Sequence, residues 1–278
     1  MERSDIYDII QYGKGLGLRM VMATCGYGIN DESIIKLKKS GIAALSISLD
    51  GATAETHDAF RQTDGSFDVA VNAAKTVRNA RVRFQINTTL CKLNIDEFHG
   101  IVELAKKLGA RCFNPFILVP TGRGKQIAVE ILDPVEYETV LHEMLRIKLE
   151  SEIEVRITCG PQFARICRQE KMEKLNKHAK GCIGGRQFGF ISYRGDVQIC
   201  GFHDVSAGNL IKNNFNFGRI WRDAELLKKI RNMAEYKGTC GNCEYLAVCG
   251  GCRARAYAMT GDHLAADPVC NYQPKGQR

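Results

Sequence analysis

Residues 42–49, IAALSISL, form a short apolar run that reads as a buried strand and closes on Asp50-Gly51. The same texture returns on either side. Residues 18–23 (LRMVMA), 82–90 (VRFQINTTL) and 111–119 (RCFNPFILV) read as further strands, with amphipathic stretches between them. Those stretches carry helix end signals. Asn30 can cap a helix through Lys39 that stops at Gly41, and Asn94 with Glu97 forms a capping-box-like pair opening a helix that ends at Gly109. Apolar strands alternating with helices imply a parallel sheet covered by helices, so the fold class is α/β. The pattern supplies three strand–helix repeats and a fourth strand.

Downstream, Asp133-Pro134 with Glu136 marks another helix start, running to about residue 149. Residues 159–178 read as helix and loop. After Gly181 cysteines and glycines crowd, and residues 188–199 resemble a β-hairpin turning at Arg194-Gly195-Asp196. The expected division is 1–125 for the sheet unit, 126–180 for connecting helices and 181–278 for a small Cys-rich domain, with the boundary near 178–181.

The composition, 45% hydrophobic and 25% charged over 278 residues, is that of a soluble globular protein. No apolar run reaches the length of a membrane span, and the first residues lack a signal-peptide core, which predicts a cytoplasmic location. The net charge of +8 suits either an anionic ligand or a solvated basic surface, and the lack of any Lys/Arg block argues against nucleic acid. Twelve cysteines in a reducing compartment point to metal ligation before disulfides.

Seven of those cysteines are spaced as ligands. Cys182 and Cys200 bracket the hairpin as C-x12-G-x4-C; Cys240, Cys243, Cys249 and Cys252 follow as C-x2-C-x5-C-x2-C, and Cys270 closes the set. Two residues between cysteines let both thiolates face one centre, and Gly241, Gly250 and Gly251 allow the backbone close to sulfur. Seven thiolates exceed one tetrahedral site and approach the number needed for two cubane clusters. Zinc is the alternative, although its paired knuckles are usually separated by about fifteen residues or more. Cys25, Cys91 and Cys112 read as small buried hydrophobes. Cys159 and Cys167 each either complete a four-thiolate site with Cys182 and Cys200 or serve structurally.

The constellation resembles the SPASM-type extension of radical SAM enzymes, departing only in x2 where x3 is usual before Cys252. In that pattern one auxiliary [4Fe-4S] cluster takes the residues matching Cys182, Cys200 and Cys252. A second takes those matching Cys240, Cys243, Cys249 and Cys270, and some members assemble only one. Upstream, Ile47-Ser48-Leu49-Asp50-Gly51, then His57-Asp58-Ala59-Phe60-Arg61 and the Gly65-Ser66-Phe67 turn, resemble a strand and its sequel in a radical SAM partial barrel. Further stretches, at residues 16–23, 84–89, 119–125, 197–202 and 249–256, resemble the heme b synthase family of the siroheme-derived heme route.

That resemblance implies a reaction, the oxidative decarboxylation of two propionates of iron–coproporphyrin III to vinyls. It implies S-adenosylmethionine and one or two auxiliary clusters as cofactors, an anionic tetrapyrrole as substrate and an electron-transfer protein as a partner. Ser48, Asp50 and Asn87 would bind the cofactor, with strand capping or a structural hydrogen bond as their other reading. Arg123 and Lys125 would hold substrate carboxylates. Arg253 and Arg255 would do so or tune a cluster, His203 reads as a surface-loop residue, and no catalytic residue is assigned. Radical SAM enzymes also carry C-x3-C-x2-C and a GGEP-like turn, and neither occurs in the 278 residues. The expectation is an N-terminally truncated member, inactive alone. A partner subunit binding clusters or tetrapyrrole without being an enzyme, an enzyme acting on another siroheme-derived tetrapyrrole, and a zinc-stapled domain stand as alternatives.

Overall fold

A computed structural model describes residues 3–172 and 181–275. The chain divides into two compact units, Met1–Phe116 with Ile147–Thr158, and Ile117–Arg146 with Cys159–Arg278. The chain thus leaves the first unit and returns to it, where composition suggests linear boundaries at 125 and 180. The boundary expected near 178–181 falls largely outside the described residues.

The first unit runs α1 (Ile6–Gly15), β1 (Val21–Thr24), α2 (Asp31–Ser40), β2 (Ala44–Ser48), α3 (Ala54–Arg61), α4 (Ser66–Asn79), β3 (Phe84–Leu90), α5 (Phe98–Leu108), β4 (Cys112–Ile117) and β5 (Glu154–Val155). The strands lie in the order β1-β2-β3-β4-β5, and the β1/β2, β2/β3 and β4/β5 pairs are parallel. All four expected strands are present but shorter. The β1/β2 ladder opens at Val21 opposite Ala44, because the Leu18 N–H instead closes α1 by donating to the Gly13 carbonyl at 3.0 Å. Helix α1, whose Ile6, Ile9 and Ile10 stand at helical spacing, and the two-residue β5 lie outside the expected elements.

Helix α2 begins as expected. Asn30 Oδ1 accepts from the Ser33 N–H and Ser33 Oγ from the Asn30 N–H, each at 2.9 Å, and Gly41 ends the helix at φ 99°. The Asn94–Glu97 pair does not form a capping box. Asn94 Nδ2 donates to the carbonyls of Asp50 and Thr89 at 2.8 Å, and Glu97 accepts from the Ala52 N–H at 2.6 Å. Asn94 Oδ1 also accepts from the Cys91 N–H at 3.1 Å, so both side chains satisfy backbone groups outside α5.

Along β3 residues alternate between buried and half-buried. Phe84, Ile86 and Leu90 join Leu45 and Ile47 of β2 in a core covered by α4 and α5. The other face is polar. Strand β1 lies at the sheet edge, with Val21 and, just before it, Leu18 exposed.

The second unit contains a 3₁₀ stretch Gly122–Glu130, most of α6 (Pro134–Glu150), α7 (Phe163–Gln169), and β6 (Phe190–Ile191), β7 (Asp196–Gln198) and β8 (Gly208–Asn209) in one antiparallel sheet. Then come α8 (Phe217–Asp223), α9 (Glu225–Arg231), α10 (Gly238–Gly241) and α11 (Arg253–Thr260). The start of α6 is a reciprocal cap, with Glu136 accepting from the Asp133 N–H at 2.8 Å and Asp133 from the Glu136 N–H at 2.9 Å. The hairpin forms, with Phe190 opposite Gln198 and Gly195 in its turn at φ 82°. Among the described residues no helix is long and apolar enough to cross a membrane.

Candidate functional site

On the open face of the first unit's sheet, the parallel register sets Ser46 opposite Gln85 and Ser48 opposite Asn87. Asn87 Oδ1 accepts from Gln85 Nε2 at 2.8 Å and from Asn114 Nδ2 at 3.1 Å, and Asn114 Oδ1 accepts from the Thr158 hydroxyl at 3.0 Å. Polar side chains from β2, β3 and β4 thus share one face. Ser48 and Asn87 come together as neighbours. Asp50 does not join them. Its carboxylate is fully buried, accepts from the Thr89 N–H at 2.7 Å and pairs with Arg61, while its own N–H donates to His57 Nδ1 at 2.9 Å. Burial pushes its carboxyl upward against the pull of Arg61. In this place Asp50 braces the strand–helix turn.

The second unit gathers cysteines in two sets. Cys159, Cys200 and Cys252 pack together with Val119, Ala254 and Phe202. The Cys159 thiol donates to Cys252, whose pKa this bond and the Arg255 charge draw down to about 7 against the effect of burial. Cys159 also sits at φ 60°, a left-handed conformation uncommon outside glycine. The Cys182 N–H donates to the Cys249 carbonyl at 3.1 Å. Cys240, Cys243, Cys249 and Cys270 line a second cavity with Arg165 and Tyr272.

Burial pushes Cys200 up to about 12 and Cys270 to about 11, and raises Cys182, Cys243 and Cys249 as well. Such thiols stay protonated until a positive centre takes the thiolate. Backbone N–H groups point at the sulfurs, from Gly251 to Cys249 at 3.4 Å and from Asp267 to Cys240 at 3.5 Å, with Arg253 Nη2 at 3.7 Å from Cys240. Glycine is required at several of these positions. A Cβ at Gly181 would lie 2.0 Å from the Cys249 carbonyl oxygen, and one at Gly251 would lie 3.2 Å from Cys240 Sγ and 2.5 Å from Arg253 Nη2. Among the described residues no three metal-ligating side chains converge on a point for one ion, whereas a cubane takes its thiolates at separate corners. The donor set, its burial and its N–H groups fit iron–sulfur clusters.

Other expected residues fall elsewhere. Arg123 and Lys125 are both exposed on the 3₁₀ stretch, with Lys125 Nζ 3.6 Å from Asp204. Arg253 and Arg255 are 1% and 0% exposed and bonded within the unit, which removes them as ligands for substrate carboxylates. His203 is not a surface residue but buried against Tyr257, ring centroids 5.0 Å apart, and burial holds its pKa down to about 4. Cys25 is exposed, not buried, because the β1 edge leaves it uncovered; Cys91 and Cys112 are buried. Sequence reasoning passed over Gln162 and Asp267, buried polar residues that no spacing rule singles out.

Residues 2–105 match the radical SAM superfamily, and residues 182–244 match SPASM, an iron–sulfur cluster-binding domain. The chain is 43% identical to the AdoMet-dependent heme synthase of Methanosarcina barkeri over 99% of its own length and 80% of that protein's. It is 39% identical to the enzyme of that name from Oleidesulfovibrio alaskensis, covering 73% of it. Mycofactocin maturase MftC of Mycobacterium tuberculosis is 30% identical over 96% of this chain and 67% of its own. Among solved structures, Streptococcus suis SuiB bound to S-adenosylmethionine superposes with TM-score 0.72 at 16% identity, and the chain spans 64% of its length.

Proposed function

The chain belongs to the radical SAM superfamily, in the group with a SPASM iron–sulfur domain that includes the AdoMet-dependent heme synthases, and from that membership we propose a role in making heme by oxidative decarboxylation of two propionates of iron–coproporphyrin III. The observation that carries this reading is the array of buried and half-buried thiols in the second unit, with backbone N–H groups aimed at Cys249 and Cys240 and a guanidinium at Cys240. When bound, S-adenosylmethionine would supply hydrogen abstraction and the auxiliary clusters a one-electron acceptor.

The chain's own residues then have these parts. Cys182, Cys200 and Cys252, joined by Cys159, would hold one cluster, and Cys240, Cys243, Cys249 and Cys270 the other. Ser48 and Asn87 would bind the adenosylmethionine, with Asp50 fixing the turn beyond them. Arg123 and Lys125 would grip substrate carboxylates, Arg through its planar two-point fork. The 278 residues contain no C-x3-C-x2-C, so no step that needs that cluster is assigned to them.

Anaerobic reconstitution followed by iron, sulfide and zinc analysis tests the reading. Iron with matching sulfide and a visible charge-transfer band is expected, and zinc without sulfide sinks it. Titration with iron–coproporphyrin III should then shift its Soret band, less so in an Arg123→Ala, Lys125→Ala double variant.

A further inference from the structure

One fully buried residue bonds to both cysteine sets, through its side chain to one and its backbone to the other. Asp267 accepts on Oδ2 from the Cys252 N–H at 2.8 Å, and its own N–H donates to Cys240 Sγ at 3.5 Å. Its carbonyl accepts from the Cys270 N–H at 3.1 Å. The carboxylate is held by Arg255, with Nε to Oδ1 at 2.9 Å and Nη2 to Oδ2 at 2.8 Å, and by Gln162 Nε2 at 2.8 Å. Gln162 is fixed in turn by the Tyr137 hydroxyl at 2.6 Å. Gly251 lies close beside this residue, since a Cβ there would meet Asp267 Cβ at 3.0 Å as well as Cys240 Sγ at 3.2 Å.

We propose that Asp267 is a positioning residue that couples the two cluster sites, so that their reduction potentials are set together. Its carboxylate is a fixed negative charge one hydrogen bond from a ligand of the first set. Its peptide group hydrogen-bonds two ligands of the second. In a buried environment charge and hydrogen bonds to ligands govern cluster potential, so a change at Asp267 reaches both sites. Arg255 and Gln162 hold the carboxylate in the single orientation that allows this. The inference rests on the two-cluster reading, and iron analysis tests that reading separately: about eight irons per chain are required before potentials are compared.

The experiment is an EPR-monitored redox titration of the reconstituted full chain. In the wild-type protein, reduction of the second cluster should alter the spectrum of the first, and two additive, independent spectra would overturn the coupling. In Asp267→Asn, loss of a negative charge should move both midpoint potentials upward. Arg255→Lys keeps the charge balance and removes the two-point clamp, and should also move both signals. A shift confined to one signal, or none in a loaded variant, overturns the proposal. If Asp267→Asn fails to load clusters, the midpoint potentials of Arg255→Lys decide. Fewer than about eight irons in the wild type defeats the cluster reading itself, a failure distinguishable from uncoupled potentials.

Discussion

Cys159 stands in the sequence as Cys-Gly-Pro with no cysteine partner nearby, yet its thiol meets Cys252 and its backbone holds φ 60°. A strained non-glycine residue inside a thiol cluster is where a ligand would be expected. With it, the set containing Cys182, Cys200 and Cys252 has the four thiolates a cubane takes. Cys159→Ala should therefore lower iron and sulfide by up to about half, or leave one cluster with a changed EPR signal. Unchanged iron content and spectra would return Cys159 to a packing role. Cys167, buried in α7, is the contrasting case.

At the scale of elements, Glu97 shows how a helix start can serve a different helix. Its carboxylate accepts from the Ala52 N–H at 2.6 Å and from the hydroxyls of Thr53 at 3.2 Å and Thr56 at 2.6 Å, at the N-terminus of α3. A negative charge is favoured there by the unsatisfied N–H groups of the helix. Burial works against the charged form, but the Thr56, Ala52 and Thr53 bonds outweigh it and lower the pKa below the ordinary 4.5. A folded-state pKa below the unfolded one means stability that is present above 4.5 and lost as pH falls through the lowered value. Glu97→Gln should cost about 1–2 kcal/mol at neutral pH, read as a lower Tm. The gap from wild type should narrow below pH 4.5; a gap independent of pH would mean the charge is not what matters.

For the whole molecule, the edge of the five-stranded sheet is the exposed liability. Among the described residues strand β1 pairs with β2 alone, and Val21 together with the preceding Leu18 is open to solvent. An apolar edge with free backbone groups invites pairing with another strand. The chain should therefore self-associate in a concentration-dependent way, and Val21→Lys should raise the monomer fraction in size-exclusion chromatography. A wild-type chain that elutes as a sharp monomer at every concentration would count against this. The +8 charge does not protect the edge, because no basic residue lies within Val21–Thr24 itself.

The sequence by itself determined the α/β class, the four principal strands, the caps at Asn30 and Asp133, and the seven spaced cysteines. Each is written in a short window, as a period, a capping pair or a ligand interval. Tertiary structure decided the rest. It seated Asp50 in an ion pair, moved Asn94 and Glu97 away from their own helix, buried His203, Arg253 and Arg255, and gave Cys159 its partner. Those outcomes depend on residues far apart in the chain. Gln162 and Asp267 are separated by 105 positions and Cys159 and Arg255 by 96, and no local pattern records which buried donor meets which acceptor. The thiol ligands could be counted from their spacing. The residue that links their two sets became visible only when folding closed those distances.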